Sequence, residues 1–126
     1  MKASIMFRML WIAIFALIAN VSFAGGRYAD PPMNLGEVYK ATQTALEAAK
    51  AGNKDAALES ANQGRKLAVA SFKEKSTMPM QIASSYLKEA VALLEAGNMG
   101  EAIPKLEHVI TKCGEEIDYY KKDGKM

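Results

Sequence analysis

The chain has 126 residues, 50% of them hydrophobic and 24% charged, with one Cys, one His and four Pro. That composition fits one ordinary globular domain and excludes a disordered chain or a disulfide framework. The formal charge of +2 falls to zero once Lys2 and Arg8 are set aside in a removable leader, leaving 14 basic residues against 14 acidic ones. A neutral chain has no electrostatic reason to bind nucleic acid or anionic lipid. One His and one Cys also exclude most metal centres and catalytic triads.

Residues 1–24 read as a secretory signal peptide. Lys2 and Arg8 supply the positive start, Met9 to Ile18 is unbroken apolar sequence, and Ser22-Phe23-Ala24 sets small residues for a cut after Ala24. The competing reading is an uncleaved membrane anchor. Against it, the run is short beside the roughly 20 apolar residues of a span, and Asn20 interrupts its end. No Cys follows the run to carry a lipid. The expected product is an exported, soluble chain of 102 residues, located in the periplasm and free of the membrane once the leader is cut. It divides into a tether over 25–33, a helical body over 34–122 and a tail over 123–126.

Four helical segments follow the tether. Asn34 with Glu37 predicts a capping box, and the first apolar stripe is Leu35, Val38, Thr42, Ala45, Leu46 and Ala49. Gly52 suits the left-handed position that ends this helix, and Asn53 can cap the next. The second stripe is Ala57, Leu58, Ala61, Ala68 and Phe72. Thr77 is the expected cap of the third helix, Pro79 fits its first turn, and Ile82, Tyr86, Ala90, Leu93 and Leu94 form its stripe. Gly97-Asn98 repeats the earlier turn, and Glu101 completes the cap pair. The fourth helix carries Ile103, Leu106, Ile110, Cys113 and Ile117, and is expected to fray from Lys121. Pro104 should bend or loosen its first turns, and Gly114 weakens it by about 1 kcal/mol relative to Ala.

An internal repeat supports this division. At an offset of 45 residues, Ala51-Gly52-Asn53 matches Ala96-Gly97-Asn98, Ala45 matches Ala90, and Ala57 matches Ala102. Each unit is a helical hairpin with a turn too short for anything but antiparallel neighbours. The expected fold is all-α, an up-down-up-down antiparallel four-helix bundle built from two duplicated hairpins. Tetratricopeptide arrays repeat every 34 residues, so the period here argues against a solenoid.

Over Leu46 to Ala61 and Glu89 to Leu106, including both Gly-Asn turns, the chain resembles the small metal-binding protein family of the bacterial periplasm. The resemblance implies a signal peptide, paired Ala/Glu-rich hairpins and buffering of transition metals such as copper, nickel or zinc. That family is His-rich along its helices and after its turn glycines. Here Asn53 and Asn98 occupy the turns, Ser60 and Lys105 stand in the helices, and His108 alone remains. The chain also resembles soluble b-type cytochromes in its last hairpin, over Glu89 to Glu107. That likeness implies an axial Met near the first helix, where Met33 lies, and an axial His late in the last, where Ile117 stands. Haem is therefore not expected, and covalent haem is excluded because Cys-x-x-Cys-His does not occur.

The candidate ligands are few. His108 has Pro104, Lys105, Thr111 and Lys112 at the chelating spacings, so a solvated surface imidazole is the plainer reading. Met78-Pro79-Met80 offers two thioethers suited to Cu(I), with Met33 and Met99 as further donors if the hairpin ends converge. The plainer reading is packing at a helix start. Cys113 falls in line with Leu106, Ile110 and Ile117 and reads as a buried small hydrophobe. The alternatives are a thiolate ligand or a dimer through an intermolecular disulfide. Tyr119-Tyr120 either docks a partner or caps the bundle end. No Gly-rich phosphate loop, nucleophile elbow or paired-carboxylate motif occurs, so no enzyme activity and no catalytic residue is expected. The leading expectation is a non-enzymatic, metal-buffering periplasmic protein with a depleted ligand set at His108, Met78 and Met80. The alternative is a metal-free scaffold that binds an unknown periplasmic protein, and a third is a degenerate cytochrome-like bundle.

Overall fold

The computed structural model describes residues 28–126. The predicted signal peptide therefore lies outside the described residues. Four helices follow one another as α1 (Leu35–Lys50), α2 (Lys54–Glu74), α3 (Met78–Glu95) and α4 (Met99–Lys122), with no strand among the described residues. Each helix packs on its chain neighbours, and α1 packs on α4 to close the ring. This is the expected all-α four-helix bundle, with α2 and α4 on one diagonal. Among the described residues, no helix is long and apolar enough to cross a membrane.

The two hairpin turns are the same structure built twice. Gly52 and Gly97 take φ of 76° and 78°, the left-handed region that a Cβ disfavours. At the first turn the Asn53 amide donates to the Ala48 carbonyl at 2.8 Å, and the Gly52 amide to Ala49 at 3.1 Å. The second repeats this with Asn98 to Leu93 at 2.8 Å and Gly97 to Leu94 at 3.0 Å. This pair of bonds is the Schellman closure, which satisfies carbonyls that a helix end leaves open. The same asparagines then start the next helices. The side-chain oxygen of Asn53 accepts from the Ala56 amide at 3.2 Å, and that of Asn98 from the Glu101 amide at 3.3 Å. One residue ends a helix and begins the next, which leaves no room for a longer loop.

The other two caps depart from expectation. Asn34 takes a left-handed φ of 65° and makes no side-chain cap bond. Its Nδ2 instead donates to the Leu67 carbonyl at 3.3 Å, tying the start of α1 to α2. Thr77 precedes α3 in extended conformation, but its hydroxyl is buried and makes no hydrogen bond. The fourth helix does not fray from Lys121. It runs to Lys122 and closes on Gly124, with the Lys125 amide donating to the Tyr120 carbonyl at 2.8 Å. Pro104 lies inside α4 without interrupting it.

The core mixes a few large side chains with many small ones. Leu35, Val38, Met80, Leu87, Leu94, Leu106 and Val109 are buried, and so are eight alanines. α2 buries nothing larger than Ala57, Ala61, Gly64, Ala68 and Ser71, so it approaches its neighbours closely. A Cβ on Gly64 would meet the Ala41 Cβ and the Leu87 Cδ1 at 3.4 Å each. The predicted stripe of α1 is buried apart from Leu46, which is partly covered. On α3 the buried face is Met80, Ala83, Leu87, Ala90, Val91 and Leu94, one position round from Ile82, Tyr86 and Leu93. On α4, Ala102, Leu106, Val109, Cys113 and Tyr120 are buried, while Ile103, Ile110 and Ile117 flank them. Small residues let backbones close up along the central line, and the bulkier side chains fill the flanks of each seam.

Candidate functional site

His108 lies on the α3–α4 seam. Its imidazole stacks on the Tyr86 ring with centroids 4.3 Å apart and planes 29° from parallel. Lys105, one turn earlier on α4, places its Nζ 5.1 Å from the Tyr86 ring centroid and 3.0 Å from the Glu89 carboxylate. Tyr86 and Glu89 are one turn apart on α3, so the two helices clasp through four side chains. The hydrogen bond and charge of Glu89 raise the Lys105 pKa above its ordinary value. The ammonium beside the imidazole is thus held cationic, which opposes binding of a metal cation there.

The structure does not bring the two methionines of Met78-Pro79-Met80 together. Met78 is 65% exposed and Met80 is fully buried in the core. Both lie in the first turn of α3, and side chains two residues apart on a helix point about 200° from one another. The Met78 backbone is eight residues from Tyr86 along α3. At 1.5 Å per residue that sets it about 12 Å along the bundle from the His108 stack. Met33 is exposed ahead of α1, at the end of the bundle that holds Met80, and it does not reach His108. Among the described residues, no group of three or more His, Cys, Asp and Glu side chains is placed to hold a metal ion.

Cys113 is completely buried in the core. Burial, with a smaller contribution from the nearby Glu116 charge, pushes its thiol up to about 12. Such a thiol carries almost no thiolate at neutral pH. Its sulfur also lies inside the bundle, so a disulfide to a second chain requires the bundle to open. Tyr120 is buried at the bundle end, where its ring meets Tyr119 edge-on at 5.1 Å.

The sequence reading missed a concave basic face on α2. A shallow, open surface depression of about 400 Å³ runs along Asn62, Arg65, Lys66, Val69, Ala70 and Lys73. Lys66, Ala70 and Lys73 are exposed, and Arg65 and Val69 are half-buried. None of the three cations forms an ion pair among the described residues. Overall neutrality concealed this face, because the balancing acids lie at the two ends of α2 and on other helices. Its signal was the local count: residues 62–75 hold four basic side chains and one acidic one.

No protein-family model, no curated protein and no solved structure matches this chain. The likeness to the small metal-binding family rests on the residues quoted for it.

Proposed function

We propose that this chain is a non-enzymatic, periplasmic interaction bundle that works through its folded surface. The observation that supports this reading most is the division of labour among its side chains. Met80 and Cys113 are consumed by the core and His108 by its stack on Tyr86, while the basic face of α2 stays open around a shallow depression. Cations flanking a half-buried valine suit an acidic protein surface with a small apolar contact. The test is site-specific photo-cross-linking in the exporting cell. A probe at Val69 is expected to capture a discrete acidic product, and a probe at Gln81, on α3, is not. Equal labelling from both sites would remove the α2 face from consideration.

The second reading is transition-metal buffering, as the family resemblance implies. It is supported by the partial exposure of His108, the one imidazole, at a seam that a small ion can reach. Elemental analysis and a visible spectrum of the protein as isolated, then titration with Cu(I), Ni(II) and Zn(II), decide between the two. Stoichiometric metal lost on His108→Ala would establish buffering. No uptake of any of the three would leave the interaction reading.

A further inference from the structure

The outward face of α4 carries the opposite charge to that of α2. Glu101, Glu107, Glu115 and Asp118 are all exposed, spaced along one side of the helix with Pro104 and Thr111 between them. Lys122 is the one cation in that line, at its C-terminal end; Lys105 turns toward Glu89, and Lys112 reaches Glu115 from its flank at 3.8 Å. The α2 face opposes this with Arg65, Lys66 and Lys73, and Glu59 and Glu74 stand only at its two ends. Because α2 and α4 lie on one diagonal of the bundle, these faces look in opposite directions and cannot neutralise one another within a molecule.

The two faces also lie at one level along the bundle. Gly64 of α2 approaches Ala41 and Thr42, and Gly114 of α4 approaches Tyr39, so both glycines flank the same turn of α1. From those points α2 and α4 run in the same direction, toward the end where α1 begins. Arg65 to Lys73 therefore lie level with Glu115 and Asp118. A second copy moved sideways, without rotation, sets its acidic α4 face against the basic α2 face.

We propose that the partner of the α2 face is the α4 face of another copy, joined side by side. This inference rests on the interaction reading and names its partner. The contact is heterologous and leaves a free α2 face at one end and a free α4 face at the other. Growth is then open-ended rather than a closed dimer. Paired exposed charges attract weakly and are screened by salt, so the assembly is reversible and confined to low ionic strength or high local concentration.

The experiment is sedimentation equilibrium of the exported protein across concentration, at low and at high salt. The weight-average mass is expected to climb progressively past that of a dimer at low salt, and to return to the monomer at high salt. Lys66→Glu with Lys73→Glu, and separately Glu115→Lys with Asp118→Lys, should each weaken association by about tenfold or more. An equimolar mixture of these two variants should associate again, since each retains the face that the other needs. That recovery also shows both are folded. Lys40→Glu with Lys50→Glu on α1 makes the same change of net charge as the α2 pair and should leave association intact. A wild-type protein that stays monomeric at low salt, a mass that stops at the dimer, association indifferent to the α2 and α4 reversals, or a mixture that fails to associate would each overturn the proposal. A monomeric protein that still cross-links an acidic partner through Val69 would overturn self-association alone and leave the interaction reading standing.

Discussion

The Tyr120 hydroxyl donates to the Tyr28 carbonyl at 3.0 Å, joining residues 92 apart in the sequence. The Tyr28 ring in turn lies under the Lys75 ammonium, 4.6 Å from its centroid. The tether thus crosses the bundle end between the termini of α2 and α4. Tyr120 itself is only 2% exposed, so its ring caps the core while its oxygen reaches outward. Both halves of an amphipathic side chain are used.

Tyr120→Phe keeps the ring and removes the bond to the tether. A typical net hydrogen bond contributes about 1 kcal/mol, and the partner carbonyl at an exposed residue can return to water. Urea unfolding should show that loss of free energy as a lower midpoint with an unchanged slope. A midpoint equal to that of the wild type would show that the tie adds nothing to the fold.

The starts of α2, α3 and α4 should separate into two classes under substitution. Asn53→Ala and Asn98→Ala each remove a cap oxygen and should destabilise by about 1 kcal/mol. Thr77→Val should be neutral or stabilising, because its buried hydroxyl has no partner to lose and the apolar isostere removes a desolvated oxygen. Thermal unfolding of the three variants distinguishes the classes. A Thr77→Val loss as large as that of Asn98→Ala would mean the hydroxyl caps α3 after all.

The hairpins were legible in the sequence because their turns are local. Gly52-Asn53 and Gly97-Asn98 state a left-handed residue and a cap within two positions, and both conditions are met by backbone neighbours. Asn34 was misread because its partner, the Leu67 carbonyl, belongs to another helix. The faces of α3 and α4 were misread by one position for a related reason. Periodicity weighted by hydrophobic bulk points to Ile82 and Tyr86 on α3 and to Ile103 on α4, while close helix packing turns Ala83 and Ala102 inward; Ala90, Leu94, Leu106 and Cys113 lie where the stripes set them. Met78-Pro79-Met80 looks like one ligand pair only from its spacing in the sequence. As the first turn of α3 it sends one thioether to solvent and one to the core.

Cys113 should make the bundle sensitive to alkaline pH. Its folded pKa is raised to about 12 from an unfolded value of 9.0, so the folded chain holds the proton that the unfolded chain releases. The resulting stability is complete below pH 9 and declines as pH rises from 9 toward 12. The slope approaches about 1.4 kcal/mol per pH unit within that window. Cys113→Val should flatten this decline between pH 8 and pH 10, where most lysines remain charged. Unfolding free energies at those two pH values, for both proteins, provide the check; equal slopes would place the thiol in a more solvated environment than the core.

Gly114 and Gly64 are helical glycines that should respond in opposite ways. A Cβ on Gly114 would rest against the Tyr39 ring at 3.5 Å, an ordinary contact, so Gly114→Ala adds helix propensity at no steric cost. Its expected effect is a gain of up to about 1 kcal/mol. Gly64 is buried where α1, α2 and α3 meet, with the Thr42 Oγ1 also 3.6 Å from the position of a Cβ. Gly64→Ala therefore loses much of the same propensity gain to crowding. Gly64→Val forces two further carbons between the helices and should destabilise by roughly 1–3 kcal/mol. A stabilised Gly64→Val would mean that α2 stands farther from its neighbours than its small-residue face implies, and would undo the close-packed seam on which the level of the α2 face depends.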